Sequence, residues 1–356
     1  MIATIGMQVE LPPEELDIVP LTDITQRCGK MSIRNGSSLS MDPNGLIVSV
    51  GHPIQNVDYI ARFKAHTQGT YVYKSRTRHV PETLHGRLSG TALCECARHV
   101  DEWCRVAKGG FDKIFIDIST WCPRDQYEYK HKVASCPELV INTDDEATIT
   151  MWLERIESGF ESIIIKPAVD LVHRRIQQPV TMSENFANLE VWNCETLKEL
   201  VIMHFVPFTD TQFLNIRVPW FEIMMSTVSD NAVNQYFHKW VSGDLPKSQR
   251  FGICLNRPID IPAVMKGLLV VRWDDEFQET MAEFVEAAPA RARDVRYTVF
   301  RTVQNPEGVA EEDKECSNAT VYFVADQSIY LEITKQNWKF ETALNQTQRE
   351  KAKISP

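Results

Sequence analysis

The sequence predicts an α/β protein built as an irregular leucine-rich-repeat-like array of strands and helices. Short apolar runs recur along the chain, they are continuous rather than alternating, and amphipathic helical patterns separate them. Continuous apolar runs are typical of parallel strands covered by helices. The runs begin roughly 20 to 50 residues apart, which favours such an array over the alternative, a doubly wound open sheet. The predicted strands are 113–118, 161–166, 199–205, 220–225, 250–255 and 268–273.

Two helices are predicted in the first half of the chain, one before the first predicted strand and one over residues 144–156. In both segments apolar residues recur at spacings of three and four, so that they share one helical face. A stretch rich in Ser, Gly, Asn and Pro at 36–51 is the best candidate for a break in the chain. The apolar residues are Cys96, Val100, Trp103 and Ala107 in the first helix, and Ile149, Trp152, Leu153 and Ile156 in the second.

The clearest helical signal covers residues 230–241. Ser229 is a suitable N-cap, Asp230 places an acid in the first turn, and Gly243 follows as a C-terminal stop. The apolar residues are spaced as one face of a helix, and we expect this face to pack in the core. They are Val233, Tyr236, Phe237, Trp240 and Val241.

The C-terminal part of the chain changes pattern after residue 295. Runs at 297–303, 320–324 and 329–333 are separated by turn residues, and the last run alternates in polarity. This pattern predicts antiparallel strands that form a β-cap on the array. The polar residues 341–356 are interpreted as a frayed tail.

The composition narrows the function classes without indicating a reaction. The chain has 356 residues and a net charge of −10, which disfavours nucleic acid and anionic membranes as partners. No window approaches the ~18 consecutive apolar residues of a membrane span. Nine cysteines without a secretion signal indicate reduced thiols, and therefore a cytoplasmic or nuclear protein.

No common catalytic or cofactor motif is present, so the sequence predicts neither an enzyme nor a cofactor. Glycine-rich phosphate loops, a nucleophile elbow and a His-Glu-x-x-His zinc motif are all missing. The nearest approach to a metal site is Cys94, Cys96, His99 and Cys104. Because one predicted helix carries these residues, Cys94 and His99 project to different sides, and one helix cannot surround a tetrahedral ion. We expect no stoichiometric zinc, and a zinc-dependent enzyme using these four residues remains the less favoured alternative.

A local basic stretch with two tyrosines lies between residues 64 and 87. A solvated polar segment is the favoured interpretation, and contact with an acidic partner is the alternative. The basic residues are Lys64, Lys74, Arg76, Arg78 and Arg87, and the tyrosines are Tyr71 and Tyr73.

The segment from residue 219 to 243 resembles the type 2 F-box-associated domain, a family greatly expanded in nematodes. That family's pattern has a Trp opening a strand, then a helix with Asp, Asn, Phe and Trp at fixed spacings, closed by Gly. The similarity extends over residues 46–340, and its most specific part is 186–256. The corresponding residues here are Trp220, Asp230, Asn234, Phe237, Trp240 and Gly243.

The resemblance implies a helical F-box in residues 1–45, which would bind the Skp adaptor of a cullin-based ubiquitin ligase. In this chain the spacing from Leu11 to Ile24 is about one helical turn shorter than in that pattern, so the implied F-box is degenerate or truncated. The apolar residues that would contact the adaptor are Leu11, Leu16, Leu21 and Ile24.

The function implied by the resemblance is non-enzymatic protein recognition. The chain would be the substrate-binding subunit of a Skp–cullin–F-box ubiquitin ligase, with a Skp-type adaptor and an unidentified protein target as partners. The alternative is an interaction domain that has lost adaptor binding.

Overall fold

The computed structural model forms two compact units. The N-terminal unit comprises residues 1–161 and 167–178, and the C-terminal unit comprises residues 162–166 and 179–356. The predicted mixed α/β class is confirmed. The structure describes residues 28–35, 46–51, 58–66, 69–75, 83–88, 91–118, 128–170, 175–176, 178–245, 250–268, 270–272, 296–300, 318–324 and 327–333.

The first half of the chain is rich in strands. Its elements β1 to β10, α1 and α2 belong to the N-terminal unit, except for β8, which belongs to the C-terminal unit. They are β1 (Cys28–Asn35), β2 (Leu46–Gly51), β3 (Asp58–His66), β4 (Gly69–Ser75), β5 (Thr83–Leu88), α1 (Ala92–Val106), β6 (Phe111–Asp117), β7 (Glu138–Asn142), α2 (Glu146–Arg155), β8 (Ser162–Lys166), β9 (Val169–Asp170) and β10 (Arg175–Ile176).

The second half of the chain alternates strands and helices before it ends in strands, and it completes the C-terminal unit. The elements are α3 (Glu184–Ala187), a 3-10 helix (Glu190–Asn193), β11 (Glu199–Val206), α4 (Asp210–Leu214), β12 (Trp220–Met225), α5 (Asp230–Ser242), β13 (Arg250–Leu255), α6 (Ile261–Met265), β14 (Val270–Arg272), β15 (Arg296–Phe300), β16 (Asn318–Val324) and β17 (Ser328–Ile333).

The N-terminal unit combines a parallel and an antiparallel part in one sheet of order β7-β6-β1-β2-β3-β4-β5. Strands β1, β6 and β7 run parallel. From β1 to β5 each strand pairs antiparallel with the next. Helix α1 packs against β3, where the Phe63 and His99 rings meet edge to face with centroids 4.9 Å apart.

The C-terminal unit contains four parallel strands that are neighbours in the order in which the chain visits them. Strand β8 pairs with β11, β11 with β12, and β12 with β13. Helices α4 and α5 follow β11 and β12 respectively. An antiparallel ladder continues the sheet from β13 through β17, β16 and β15 to β14. The predicted antiparallel pairing of the C-terminal runs is therefore confirmed.

The predictions for residues 220–255 agree closely with the structure. Strands β12 and β13 occupy the predicted residues, and α5 extends the predicted helix by one residue. The hydroxyl of Ser229 accepts a hydrogen bond from the Ala232 amide at 3.1 Å, which caps the helix. Gly243 ends the helix in the left-handed region at φ 97°, a conformation that favours glycine.

The N-terminal prediction is wrong for part of its length. A helical segment was expected over residues 1–45, but Cys28–Asn35 form strand β1, which pairs with both β2 and β6. The backbone bonds of two neighbouring strands outweigh the local resemblance to a helical module. The side chain of Met31 is fully buried in this strand. Residues 1–27 and 36–45 lie outside the described residues.

Candidate recognition surface

The sheet of the C-terminal unit has a covered face and an open face, as strand β12 shows most clearly. Phe221, Ile223 and Met225 are buried, whereas the alternating residues Trp220, Glu222 and Met224 are not. Successive side chains of a strand point to opposite sides, so these two sets face opposite directions. Helices α4 and α5 cover the first set, because the Phe221 ring lies 6.5 Å from the Phe213 ring and 5.8 Å from the Tyr236 ring.

Helix α5 is fixed to the covered face by the predicted apolar stripe. Val233, Tyr236, Phe237 and Trp240 are fully buried, which confirms these four members of the stripe as part of the core. The fifth predicted member, Val241, is only half-buried at the end of the helix. The Phe237 ring lies 5.2 Å from the Phe251 ring of β13. The Tyr236 hydroxyl donates a hydrogen bond to the Ile216 carbonyl at 3.1 Å. Burial raises the pKa of Tyr236 above its ordinary value, which keeps the hydroxyl protonated as a donor.

Asn234 connects α5 to the segment that ends α6. Its amide nitrogen donates hydrogen bonds to the carbonyls of Val264 and Lys266, both at 2.8 Å. Asn234 is 9% exposed, so its amide satisfies two carbonyls in a largely dry environment. The resemblance singled out this residue, but the sequence did not show which groups it would bind.

Asp230 begins α5 and joins it to the loop after β13. Its carboxylate accepts a hydrogen bond from Arg257 Nη1 at 2.8 Å, and Arg257 Nη2 donates to the Val228 carbonyl at 2.9 Å. The preceding loop is anchored similarly, because the amide and hydroxyl of Ser229 donate to the Asp210 carboxylate at 2.8 and 2.6 Å. The loops after β11, β12 and β13 are therefore bound to one another by polar contacts.

Trp220 differs from the other motif residues because it lies outside the core. Its side chain is 48% exposed on the open face, at the first position of β12. In the sheet register Glu199 and Arg250 are its neighbours on β11 and β13. Exposed tryptophans with charged neighbours are common anchors of protein interfaces. Trp220 is therefore an exposed aromatic side chain between an acidic and a basic neighbour on the open face.

A second aromatic residue on the open face packs across a glycine. A Cβ atom added to Gly252 would lie 2.7 Å from the Tyr330 ring, so this close approach requires glycine. The Tyr330 hydroxyl donates a hydrogen bond to the Glu222 carboxylate at 3.2 Å. Glu222 and Tyr330 are 108 residues apart, and the sequence carried no signal of this contact.

The four residues considered for zinc share helix α1, as expected, and their environments differ. Cys96, His99 and Cys104 are buried, whereas Cys94 is half-buried. Burial raises the pKa of Cys96 well above its ordinary range and that of Cys104 to about 11, so both side chains are protonated thiols in the metal-free chain. His99 Nδ1 contacts the Glu95 carbonyl at 2.8 Å. Within the described ranges, no three His, Cys, Asp or Glu side chains are arranged to hold a metal ion.

The N-terminal unit contains a buried ion pair that sequence reasoning missed. Arg155 Nη2 donates to the Asp101 carboxylate at 2.8 Å, and the two side chains are only 4% and 2% exposed. The same carboxylate accepts the amides of Lys130 and His131, each at 3.0 Å. The guanidinium carbon of Arg155 lies 4.0 Å from the centre of the Tyr129 ring. This network binds α1 and α2 to the segment before β7 and has a structural role.

The residues predicted to contact an adaptor lie outside the described part of the chain. Leu11, Leu16, Leu21 and Ile24 precede the first described residue, Cys28, so their role stays a prediction. Among the described helices, none is long and apolar enough to cross a membrane.

Comparison with known proteins gives one informative similarity. The chain is 24% identical over 200 residues to an uncharacterized F-box protein of Caenorhabditis elegans. The matched region covers 54% of this chain and 48% of that protein, so the chain spans about half the length of its relative. No family model and no solved structure matches the chain. The type 2 F-box-associated domain therefore stays a prediction.

Proposed function

We propose that this chain is a non-enzymatic protein-recognition protein and the substrate-binding subunit of a Skp–cullin–F-box ubiquitin ligase. The observation that carries the proposal is the similarity to a nematode F-box protein. Such proteins are receptors that bring a target to the ligase, which fits the absence of common catalytic motifs in the sequence. A cytoplasmic or nuclear location follows from the same role.

The arrangement of the C-terminal unit supports recognition by a leucine-rich-repeat-like array. Strands β8, β11, β12 and β13 are parallel neighbours in chain order, as in stacked strand–helix repeats. Arrays of this kind contact targets through the side chains of an extended surface. On the open face Trp220 is the most exposed large apolar residue among the side chains described, and we assign it as a target anchor.

Calorimetric titration of the full chain with a Skp-type adaptor tests the proposed role. Because the N-terminal segment is shorter than an intact F-box, we expect binding in the micromolar range or weaker. Leu21→Asp should abolish the binding, since it places a charge on the apolar face implied for the adaptor. The matched control is Gln235→Glu, which adds one negative charge at an exposed position of α5.

The outcomes of this titration separate the candidate functions. Binding that Leu21→Asp abolishes and Gln235→Glu leaves unchanged supports the ligase role. Nanomolar binding lost in the same variant supports that role and contradicts the expected weakness of the segment. No binding by the full chain contradicts the ligase role and favours an interaction domain without an adaptor. One equivalent of zinc lost together with folding in Cys96→Ser would favour the zinc-dependent enzyme instead.

A further inference from the structure

The sheet of the N-terminal unit has an outward face that the proposed function does not use. Ala61, Phe63 and Val72 are fully buried, and Phe63 meets α1 through the His99 ring. The alternating residues of β3 and β4 therefore face away from α1, and a register shift between β4 and β5 pairs both Leu84 and Arg87 with tyrosines of that face. We call this surface the basic face, and its side chains are Arg62, Lys64, Tyr71, Tyr73, Leu84 and Arg87.

The sheet register brings these residues together in two rows. Arg62 pairs with Tyr73, which pairs with Leu84 on the next strand. Lys64 pairs with Tyr71, which pairs with Arg87. Directly opposite residues have Cβ atoms about 4.5–5.5 Å apart, so each row crosses three strands within about 10 Å.

The charge of this region is opposite to that of the whole protein. At the positions that form this face, the three strands carry three basic residues, Arg62, Lys64 and Arg87, and one acidic residue, Asp58, a net charge of +2. The whole chain has a net charge of −10. Leu84 and Arg87 are exposed, and the remaining members of the basic face are half-buried.

The geometry points to the basic face as a docking surface for an acidic segment of a partner protein. Carboxylates of such a segment would pair with Arg62, Lys64 and Arg87, and an apolar side chain would cover Leu84. This inference rests on the proposed protein-recognition function, since it names the chemistry of a recognised protein. It also changes the interpretation of the basic stretch, which the sequence favoured as a solvated segment.

Nucleic acid fits the same surface less well. Binding of single strands depends on aromatic rings whose faces are open for base stacking. Lys64 Nζ lies 4.8 Å from the centre of the Tyr73 ring, so the ammonium group covers one face of that ring.

Fluorescence anisotropy with the full chain tests this inference. The probe is a labelled peptide of alternating glutamate and glycine with one central leucine, and the same peptide with lysine for glutamate is its control. We expect only the glutamate peptide to bind, with an affinity that falls as salt rises. Arg87→Glu and Lys64→Glu should each weaken binding about five- to tenfold. Lys108→Glu, which reverses an exposed charge in the turn after α1, is the matched control and should leave binding unchanged.

Three results would overturn the inference. They are no binding of the glutamate peptide, equal weakening by Lys108→Glu, and displacement of the peptide by a short oligouridylate at lower concentration. Thermal melting of each variant establishes that the fold is retained. The adaptor titration distinguishes failure of the docking inference from failure of the proposed ligase role. A chain that binds the adaptor but not the peptide contradicts only the proposal that the basic face binds an acidic segment. A chain that binds the peptide but not the adaptor contradicts the ligase role alone.

Discussion

Each of the two units contains an arginine–aspartate ion pair, and the two pairs differ in their exposure to solvent. In the N-terminal unit Arg155 and Asp101 are 2.8 Å apart, and both side chains are less than a twentieth exposed. In the C-terminal unit Arg257 and Asp230 are also 2.8 Å apart, but their side chains are 36% and 18% exposed. Equal distances therefore do not imply equal contributions to stability, because only the first pair is removed from water.

The other groups that contact each ion pair strengthen this difference in the expected contribution to stability. Asp101 also accepts two backbone amides, and Arg155 Nε donates to the His131 carbonyl at 2.9 Å. If Arg155 is lost, Asp101 remains as a buried charge without its cation. If Arg257 is lost, water can reach the Asp230 carboxylate. We infer that the buried pair determines how the N-terminal unit packs, whereas the half-exposed pair makes a minor contribution.

Arg155→Gln is expected to have the largest effect. It leaves the Asp101 charge buried without its cation, which costs about 3–5 kcal/mol of unfolding free energy. Urea denaturation of the variant and the native chain measures the loss. A loss below about 1 kcal/mol would mean that Asp101 is hydrated, and would remove the contrast between the two pairs.

Trp240→Ala provides the apolar comparison in the C-terminal unit. Trp240 is fully buried in the stripe of α5, and truncation of a buried tryptophan costs about 3–5 kcal/mol. We expect insoluble or strongly destabilised protein, measured by thermal melting. The control is Trp220→Ala, which removes a 48% exposed tryptophan and should change melting little. Equal melting of both variants and the native chain would mean that the α5 stripe is not part of the core.

Asn234→Ala tests the polar contact between α5 and α6. It removes the amide that binds two carbonyls, and unsatisfied buried acceptors cost about 1–3 kcal/mol. The nearby exposed Gln235 gives a control, Gln235→Ala, in the same helix. If both variants lose the same free energy of unfolding, helix propensity rather than the carbonyl contacts explains the effect.

Arg257→Gln should have the smallest effect and completes the comparison. A half-exposed ion pair contributes about 0–1 kcal/mol, so we expect a loss below about 1 kcal/mol. The same urea denaturation applies, because the substitution matches Arg155→Gln in chemistry. A loss comparable to that of Arg155→Gln would show that exposure does not separate the two pairs.

The parts of the fold that could be predicted are those with local signals. Strand β12, helix α5 and strand β13 were predicted because continuous apolar runs, an N-cap and a C-terminal glycine mark their limits. The antiparallel strands β1 to β5 were not predicted. Basic and aromatic residues alternate with apolar ones in β3 and β4, and this pattern was attributed to a solvated segment.

Long-range contacts explain the rest of what the sequence did not show. Asp101 and Arg155 are 54 residues apart and lie on different helices, so neither residue signals the other locally. The Asn234 amide binds carbonyls 30 and 32 residues away. The exposure of Trp220 depends on which side of β12 the helices cover. A continuous apolar run does not indicate which side this is.

Hydrogen–deuterium exchange of the full chain with saturating Skp-type adaptor tests most directly whether a separate N-terminal segment carries the ligase role. We expect the adaptor to protect peptides from residues 1–27 and to leave the exchange of α5 unchanged, because the stripe of that helix is already buried. Protection confined to β12 and α5, or no protection anywhere in the chain, would contradict the account.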